Sequence, residues 1–167
     1  MKNTFFIADT HFGHKNIIAY ENRPFRSVEE MDKHMMDKWN EVVNEKDDVY
    51  ILGDFSYYDM ELSKEILNTL KGNKFIILGN HDEGTVKDYY DMGFKMVYDC
   101  PIVYQEYYIL SHKPAYINPN MPYVNIFGHV HSNPLYNDYS NQSFCVSVER
   151  IGYCPINFND IKKCINI

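Results

Sequence analysis

Five apolar runs in this chain each end in a side chain that binds metal or moves protons. TFFIA, residues 4–8, is followed by Asp9-Thr10-His11, and DDVYIL, 47–52, by Gly53-Asp54. KFIIL, 74–78, leads into Gly79-Asn80-His81-Asp82, and YYIL, 107–110, into Ser111-His112. YVNIF, 123–127, leads into Gly128-His129-Val130-His131. A short apolar run bounded by turn residues reads as a buried strand. In open α/β sheets, ligands bind at the carboxyl ends of the strands. All five endings are therefore expected at one rim. Gly53, Gly79 and Gly128 stand between strand and polar group, where they allow close backbone approach. Six of the seven histidines, all but His34, lie in or beside these endings.

Between the strands the periodicity changes. Residues 27–44 read as a helix with Ser27 and Glu30 at capping-box spacing. Val28, Met31, Met35, Trp39, Val42 and Val43 share its inner face. Further helices are expected over 60–70, 84–91 and 159–165. Strand-like pieces at 95–99, 102–105 and 144–148 complete the set. The first half alternates strand and helix, whereas the second half is mainly strands. That predicts an α/β fold in which a parallel-rich sheet meets a second, more antiparallel one, with helices outside. The 167 residues favour a single domain, 1–167, with a sizeable core. Two loops stand out: 113–123, with three prolines, and the polar 132–143.

The net charge of −7 and the presence of only three arginines argue against a basic face for long nucleic acid. No apolar run approaches the length of a membrane span, and the N-terminal run is too short for a secretory signal, so a cytoplasmic location is expected. Cys100, Cys145, Cys154 and Cys164 form no CxxC pair and read as free, mostly buried thiols.

Asp9, His11, Asp54, Asn80, His112, His129 and His131 offer seven mixed nitrogen and oxygen donors without a thiolate. That is too many for one zinc site and suits two divalent transition metals, manganese, iron, nickel, cobalt or zinc, sharing a carboxylate. Two such ions outweigh the two aspartates and leave a centre that attracts phosphate.

The ordered set DxH, GD, GNHD, SH and GHxH resembles the calcineurin-like metallophosphoesterases, and ENRPFRSVEEM, 21–31, looks like their small bacterial and phage-type members. The resemblance implies a four-layer αββα sandwich of two mixed sheets flanked by helices. It implies that Asp9, His11 and His131 hold one metal, that Asn80, His112 and His129 hold the other, and that Asp54 bridges them. It further implies a metal-bridging hydroxide as nucleophile, with His81 protonating the leaving group. The expected activity is hydrolysis of small phosphodiesters or phosphomonoesters; a nuclease on longer strands, or a non-catalytic protein-binding scaffold on the same fold, is the alternative.

Two departures from the family pattern stand out. Many members carry GDxxD, whose second aspartate orients the catalytic histidine, but here that position is Tyr57. Asp82 or Asp59 are the candidate replacements, and Asp82 also reads as support for the site or as a helix N-cap. Phe12 interrupts the usual DxHG, giving DTHFGH and placing His14 near the site. His14 and Arg23 are candidate substrate contacts, Arg23 as a phosphate clamp or, equally, as a loop salt bridge. Tyr57, Tyr58, Tyr116 and Tyr123 lie near ligand-bearing turns and are candidates for stacking on a base.

Overall fold

A computed structural model of the protein describes residues 2–137 and 139–165, so the very ends of the expected domain and Asp138 in the 132–143 loop lie outside the described residues. Strand β1 (Thr4–Ile7) is followed by a short helix α1 (Ile17–Tyr20) and the long α2 (Val28–Val42). Then come β2 (Asp48–Ile51), α3 (Met60–Thr69), β3 (Asn73–Ile77), α4 (Val86–Met92) and β4 (Met96–Tyr98). Strands β5 (Ile102–Tyr104), β6 (Tyr108–Ser111), β7 (Val124–Phe127), β8 (Ser143–Cys145) and β9 (Ile156–Asn157) precede the last helix, α5 (Phe158–Ile165). Most boundaries fall within a residue or two of those read from the sequence.

Helix α2 starts where Ser27, in extended conformation, accepts from the Glu30 backbone N–H. Such a cap is worth about 1 kcal/mol. The predicted box is only half made, because the Glu30 carboxylate accepts from the N–H of Arg26 instead of Ser27, at 2.9 Å. The helix buries Met31, Met35 and Trp39 against the outer face of the first sheet, whose strands run β4-β3-β2-β1-β9. Strands β1 to β4 are parallel, and β9 adds antiparallel to β1. A strand of two residues leaves no periodicity to read, and the sequence did not reveal β9.

The second sheet, β5-β6-β7-β8, is mixed like the first, as the resemblance implied. Its antiparallel character is confined to β5 and β6, while β6-β7 and β7-β8 are parallel. Parallel neighbours need a crossover of about a dozen residues, and the proline-rich stretch after β6 supplies one without a helix. That stretch and the segment containing a 3₁₀ turn at Pro134–Tyr136 cover the outer face of this sheet. There Asn125 bonds the backbone N–H of Ala115, and Phe127 meets Tyr136 and Tyr139.

Between the sheets lies a shared core of Phe6, Ala8, Leu52 and Ile77 from one side and Leu110, Val124, Ile126 and Val146 from the other. Phe158, Ile161 and Ile165 of α5 close it at the β1 and β9 edge. The predicted strand 144–148 is cut short, because after β8 the chain crosses to the first sheet. Ala8 donates to Val146 O, and Val148 donates to Ala8 O. The crossing carries Ser147 and Glu149 beneath the end of β1. The cysteines are free, but Cys100 and Cys164 are exposed and only the other two partly buried. Cys164 falls outward because the inner face of α5 is taken by Phe158, Ile161 and Ile165. Among the described residues no helix is long and apolar enough to cross a membrane.

Candidate metal centre

The carboxyl ends of β1, β2 and β3 deliver Asp9 and His11, Asp54, and Asn80 with His81. The ends of β6 and β7 deliver His112, and His129 with His131. All seven expected ligands meet at this one rim. Asp9, His11 and His131 present donor atoms within 4.8 Å of one another, and so do Asp54, His112 and His129. Asn80 joins the second group, its Oδ1 2.9 Å from His112 Nε2.

Asp54 stands between the groups. Its Oδ2 is 3.5 Å from His11 Nε2 on one side and 3.5 Å from His112 Nε2 on the other. Its Oδ1 accepts from the backbone N–H of His81 at 2.9 Å.

The lone pairs at this rim face each other with few protons between them. His112 Nδ1 lies 2.8 Å from the carbonyl of Leu52, which can only accept, so that nitrogen carries the proton. In the neutral ring its Nε2 bears a lone pair, and Asn80 Oδ1 at 2.9 Å, His129 Nδ1 at 3.1 Å and Asp54 Oδ2 surround it. On the other side, Asp9 Oδ1 and His11 Nε2 are buried and find no hydrogen-bond partner among the described residues. An unpaired buried polar group costs roughly 1–3 kcal/mol. A divalent cation would satisfy every one of these atoms, and the donor set of imidazoles and carboxylates fits such an ion.

The backbone is strained where the donors are presented. Asp9, His11, Asp54, His129 and His131 have φ of 58°, 50°, 55°, 70° and 48°, a left-handed region that non-glycine residues rarely occupy. Each costs of order 1–3 kcal/mol and persists only where the surroundings impose it. Here Asp9 donates to Gly53 O and His11 to Asp54 O, both at 3.0 Å. The glycines make the approach feasible: a Cβ on Gly53 would strike the His112 ring, and one on Gly79 the Asp54 carboxylate.

Burial sets the protonation of the first group. It raises the Asp9 carboxyl from 3.8 to about 6, against the pull of His131, His112 and the Ser147 hydroxyl. It also lowers His11 to about 2, helped by the nearby His131 and Arg23. Oδ2 of Asp9 is held by Ser147 Oγ at 2.6 Å and the His129 N–H at 2.8 Å, which fixes the carboxylate beside His11 and His131. His131 is raised despite burial, because Glu149 hydrogen-bonds its Nδ1 and Asp9 lies near.

Arg23 is not available as a phosphate clamp. Its guanidinium is buried and fully used, by Glu149 at 2.7 Å and by the carbonyls of Asp9 and Thr10. The salt-bridge reading holds, because an internal carboxylate claims the charge before any substrate can. Glu149, Ser147 and Asp32 were missed in the sequence. Asp32 accepts from the Gly13 N–H and from Tyr58 Oη, which takes Tyr58 out of the set of free stacking rings. A carboxylate inside a helix or after a short strand carries no motif.

The partner of His81 is Tyr57 itself, whose hydroxyl lies 2.8 Å from Nδ1. Neither proposed replacement does this. Asp59 caps α3 by accepting from Leu62 N–H. Asp82 accepts from the backbone N–H groups of Asp54, Phe55 and Gly79, tying the β2 and β3 loops together; the N-cap of α4 is Thr85. Tyr57 also stacks on His14, with ring centroids 3.8 Å apart and planes 11° apart. His14 Nδ1 lies 3.4 Å from His11 Nδ1. The His81 side chain is exposed.

A sequence profile described as calcineurin-like phosphoesterase matches residues 3–163. An uncharacterized protein of Methanocaldococcus jannaschii is 39% identical over 174 aligned residues, which cover 99% of this chain and 92% of the relative. A Mycobacterium phage L5 protein, the product of gene 66, is 39% identical over 85 residues, 49% of this chain and 41% of its own length. The crystal structure of a protein of unknown function from Aquifex aeolicus superposes with a TM-score of 0.77 at 28% identity, covering 98% of this chain and 99% of that one.

Proposed function

The chain belongs to the calcineurin-like phosphoesterase family, and from that premise we propose that it hydrolyses small phosphoesters, diesters foremost, with two divalent cations at the rim. The observation that carries the reading is the Asp54 carboxylate, whose Oδ2 is 3.5 Å from a ring nitrogen of each donor group. In this reading Asp9, His11 and His131 hold one ion, Asn80, His112 and His129 hold the other, and Asp54 touches both. The ions, when bound, supply charge for the phosphoryl oxygens and make water nucleophilic at neutral pH.

The rest falls to the chain's own residues. His81, on the same loop as Asn80, gives its proton to the departing oxygen, and Tyr57 holds the imidazole at the angle that this transfer needs. Asp82 keeps the β2 and β3 loops in register, so that Asp54 and His81 stay in one geometry. Small substrates are favoured because the net charge is −7, which repels a long polyanion. A proton donor beside the donor groups supports an enzyme over a scaffold. We assign it to the cytoplasm, whose reducing conditions suit four free thiols.

Metal titration of the purified protein, with hydrolysis of a bis-aryl phosphate as readout, tests this. Two manganese ions per chain and loss of hydrolysis on chelation are expected. Stoichiometry that stays at one or zero in excess metal would overturn it. His81→Ala should keep both ions and lose on the order of 10²–10⁴-fold on alkyl esters. It should lose much less on nitrophenyl esters, whose leaving group needs no proton.

A further inference from the structure

A cavity of about 330 Å³ opens beside His81. Its lining includes His81 and Tyr57 but none of the seven metal-facing residues. Met60, Tyr89 and Met92 give it apolar walls, and Asp59 and Glu83 place two carboxylates on it. Among the described residues its lining contains no lysine or arginine. The volume is at the lower end for small-molecule sites, which run from roughly 300 Å³ upward.

We propose that this cavity holds the departing alcohol of a phosphodiester, and that the alcohol is neutral, planar in part, and about the size of a nucleoside. The inference rests on the hydrolase reading of the rim and names the half of the substrate that His81 serves. A general acid must lie within hydrogen-bond reach of the oxygen it protonates. The carbon skeleton attached to that oxygen then extends past His81, and this cavity borders that side chain. Tyr57 offers a ring face or edge to a base, and the thioethers of Met60 and Met92 adapt to a flat partner. Asp59 and Glu83 repel a second phosphate, so a nucleotide is disfavoured in the place where a nucleoside fits.

In the reaction, the oxygen of water bonds to phosphorus and the bond from phosphorus to the nucleoside oxygen breaks. That oxygen takes the proton of His81, and a proton of the attacking water balances it. A methyl diester of thymidine 5′-phosphate would therefore give thymidine and methyl phosphate, in preference to thymidine monophosphate and methanol.

Two measurements test the site. The first does not depend on catalysis: thymidine is titrated into manganese-free protein carrying ¹³C-methyl methionine. The Met60 and Met92 resonances should shift together and saturate, while those of Met96 and Met121 stay in place. Met60→Trp, which fills the cavity from an exposed position, should abolish the Met92 shift. The second is product analysis of the methyl diester with the manganese-loaded protein. Thymidine as the main product, with kcat/KM about tenfold lower in Met60→Trp at unchanged metal content, is expected. Unmoved methionines at saturating thymidine, or thymidine monophosphate as the main product, would overturn the proposal. Methionine shifts without any hydrolysis would uphold the cavity and instead count against the hydrolase reading.

Discussion

His131 and His112 reach the rim from the same sheet, yet each is held by different means. Nδ1 of His131 meets Glu149 at 3.1 Å, and that carboxylate is itself paired with buried Arg23. Nδ1 of His112 meets a neutral carbonyl, Leu52 O, at 2.8 Å. Behind the first donor group stands a charged network; behind the second stands backbone. A carboxylate behind a ligating imidazole makes it a stronger donor, whereas a carbonyl mainly fixes its tautomer. Each group has one half-buried histidine, His131 in the first and His129 in the second, and the second is more open through the exposed Asn80. The comparison predicts unequal sites: an ion at the first should be tight and slow to exchange, and one at the second looser.

The largest effect should come from the residue the two groups share. Asp54→Asn removes the charge between them and should weaken both sites at once, lowering turnover by more than about 100-fold, beyond what removal of a supporting partner costs. Metal content by mass spectrometry and turnover on a bis-aryl phosphate measure it. Asp9→Asn should empty only the first site. Equal metal loss in the two variants would break the comparison.

Glu149→Gln comes next. It keeps the shape but removes the charge behind His131, and should weaken the first ion by about 10–100-fold without touching the second. It also leaves the Arg23 guanidinium, whose side chain is 0% exposed, beside carbonyls alone. Removal of one member of a buried pair typically costs about 3–5 kcal/mol, so the unfolding midpoint should fall as well. A variant that lost the second ion instead would reverse the ordering.

Protons should compete with the ion at the first group. Burial raises Asp9 from 3.8 to about 6 in the metal-free protein. A carboxyl raised in this way favours folding when protonated, so its contribution is present at low pH and fades as pH climbs from about 4 through 6. Metal binding runs the other way, because the ion must displace that proton. Affinity at the first site should gain up to about tenfold per unit up to pH about 6, with the raised His131 extending the rise. Manganese titrations at pH 5, 6 and 7, read at the first site, measure the slope.

What the sequence revealed and what it hid follow the same division. The donors were legible because each follows an apolar run and several follow a glycine, a local pattern. Their supports were not. Glu149 reaches His131 only because the chain leaves β8 and crosses to Ala8, and no window of neighbouring residues contains that crossing. Arg23 was visible as a residue, but its direction depends on Glu149, 126 positions away. The parallel pairing of β6 with β7 was hidden for a similar reason, since the proline-rich return between them reads as a plain loop.

The smallest effect concerns Tyr57, whose phenol is the hydrogen-bond partner of His81. The phenol can donate to His81 Nδ1 or accept from it, so it can hold the ring before and after the proton leaves. It is also wedged by the His14 ring, which limits how far it can turn. Tyr57→Phe should keep the wedge and lose only the hydrogen bond. Both ions should remain, KM should change little, and kcat on alkyl esters should fall several-fold, by roughly the 0.5–1.5 kcal/mol that one neutral hydrogen bond contributes. On nitrophenyl esters the loss should vanish, because the proton matters little there. If the two ester classes slowed equally, Tyr57 would be acting as a wall of the site and not through His81. Tyr57→Asp then sharpens the comparison: a carboxylate at this position would lend His81 the kind of charged support that Glu149 gives His131.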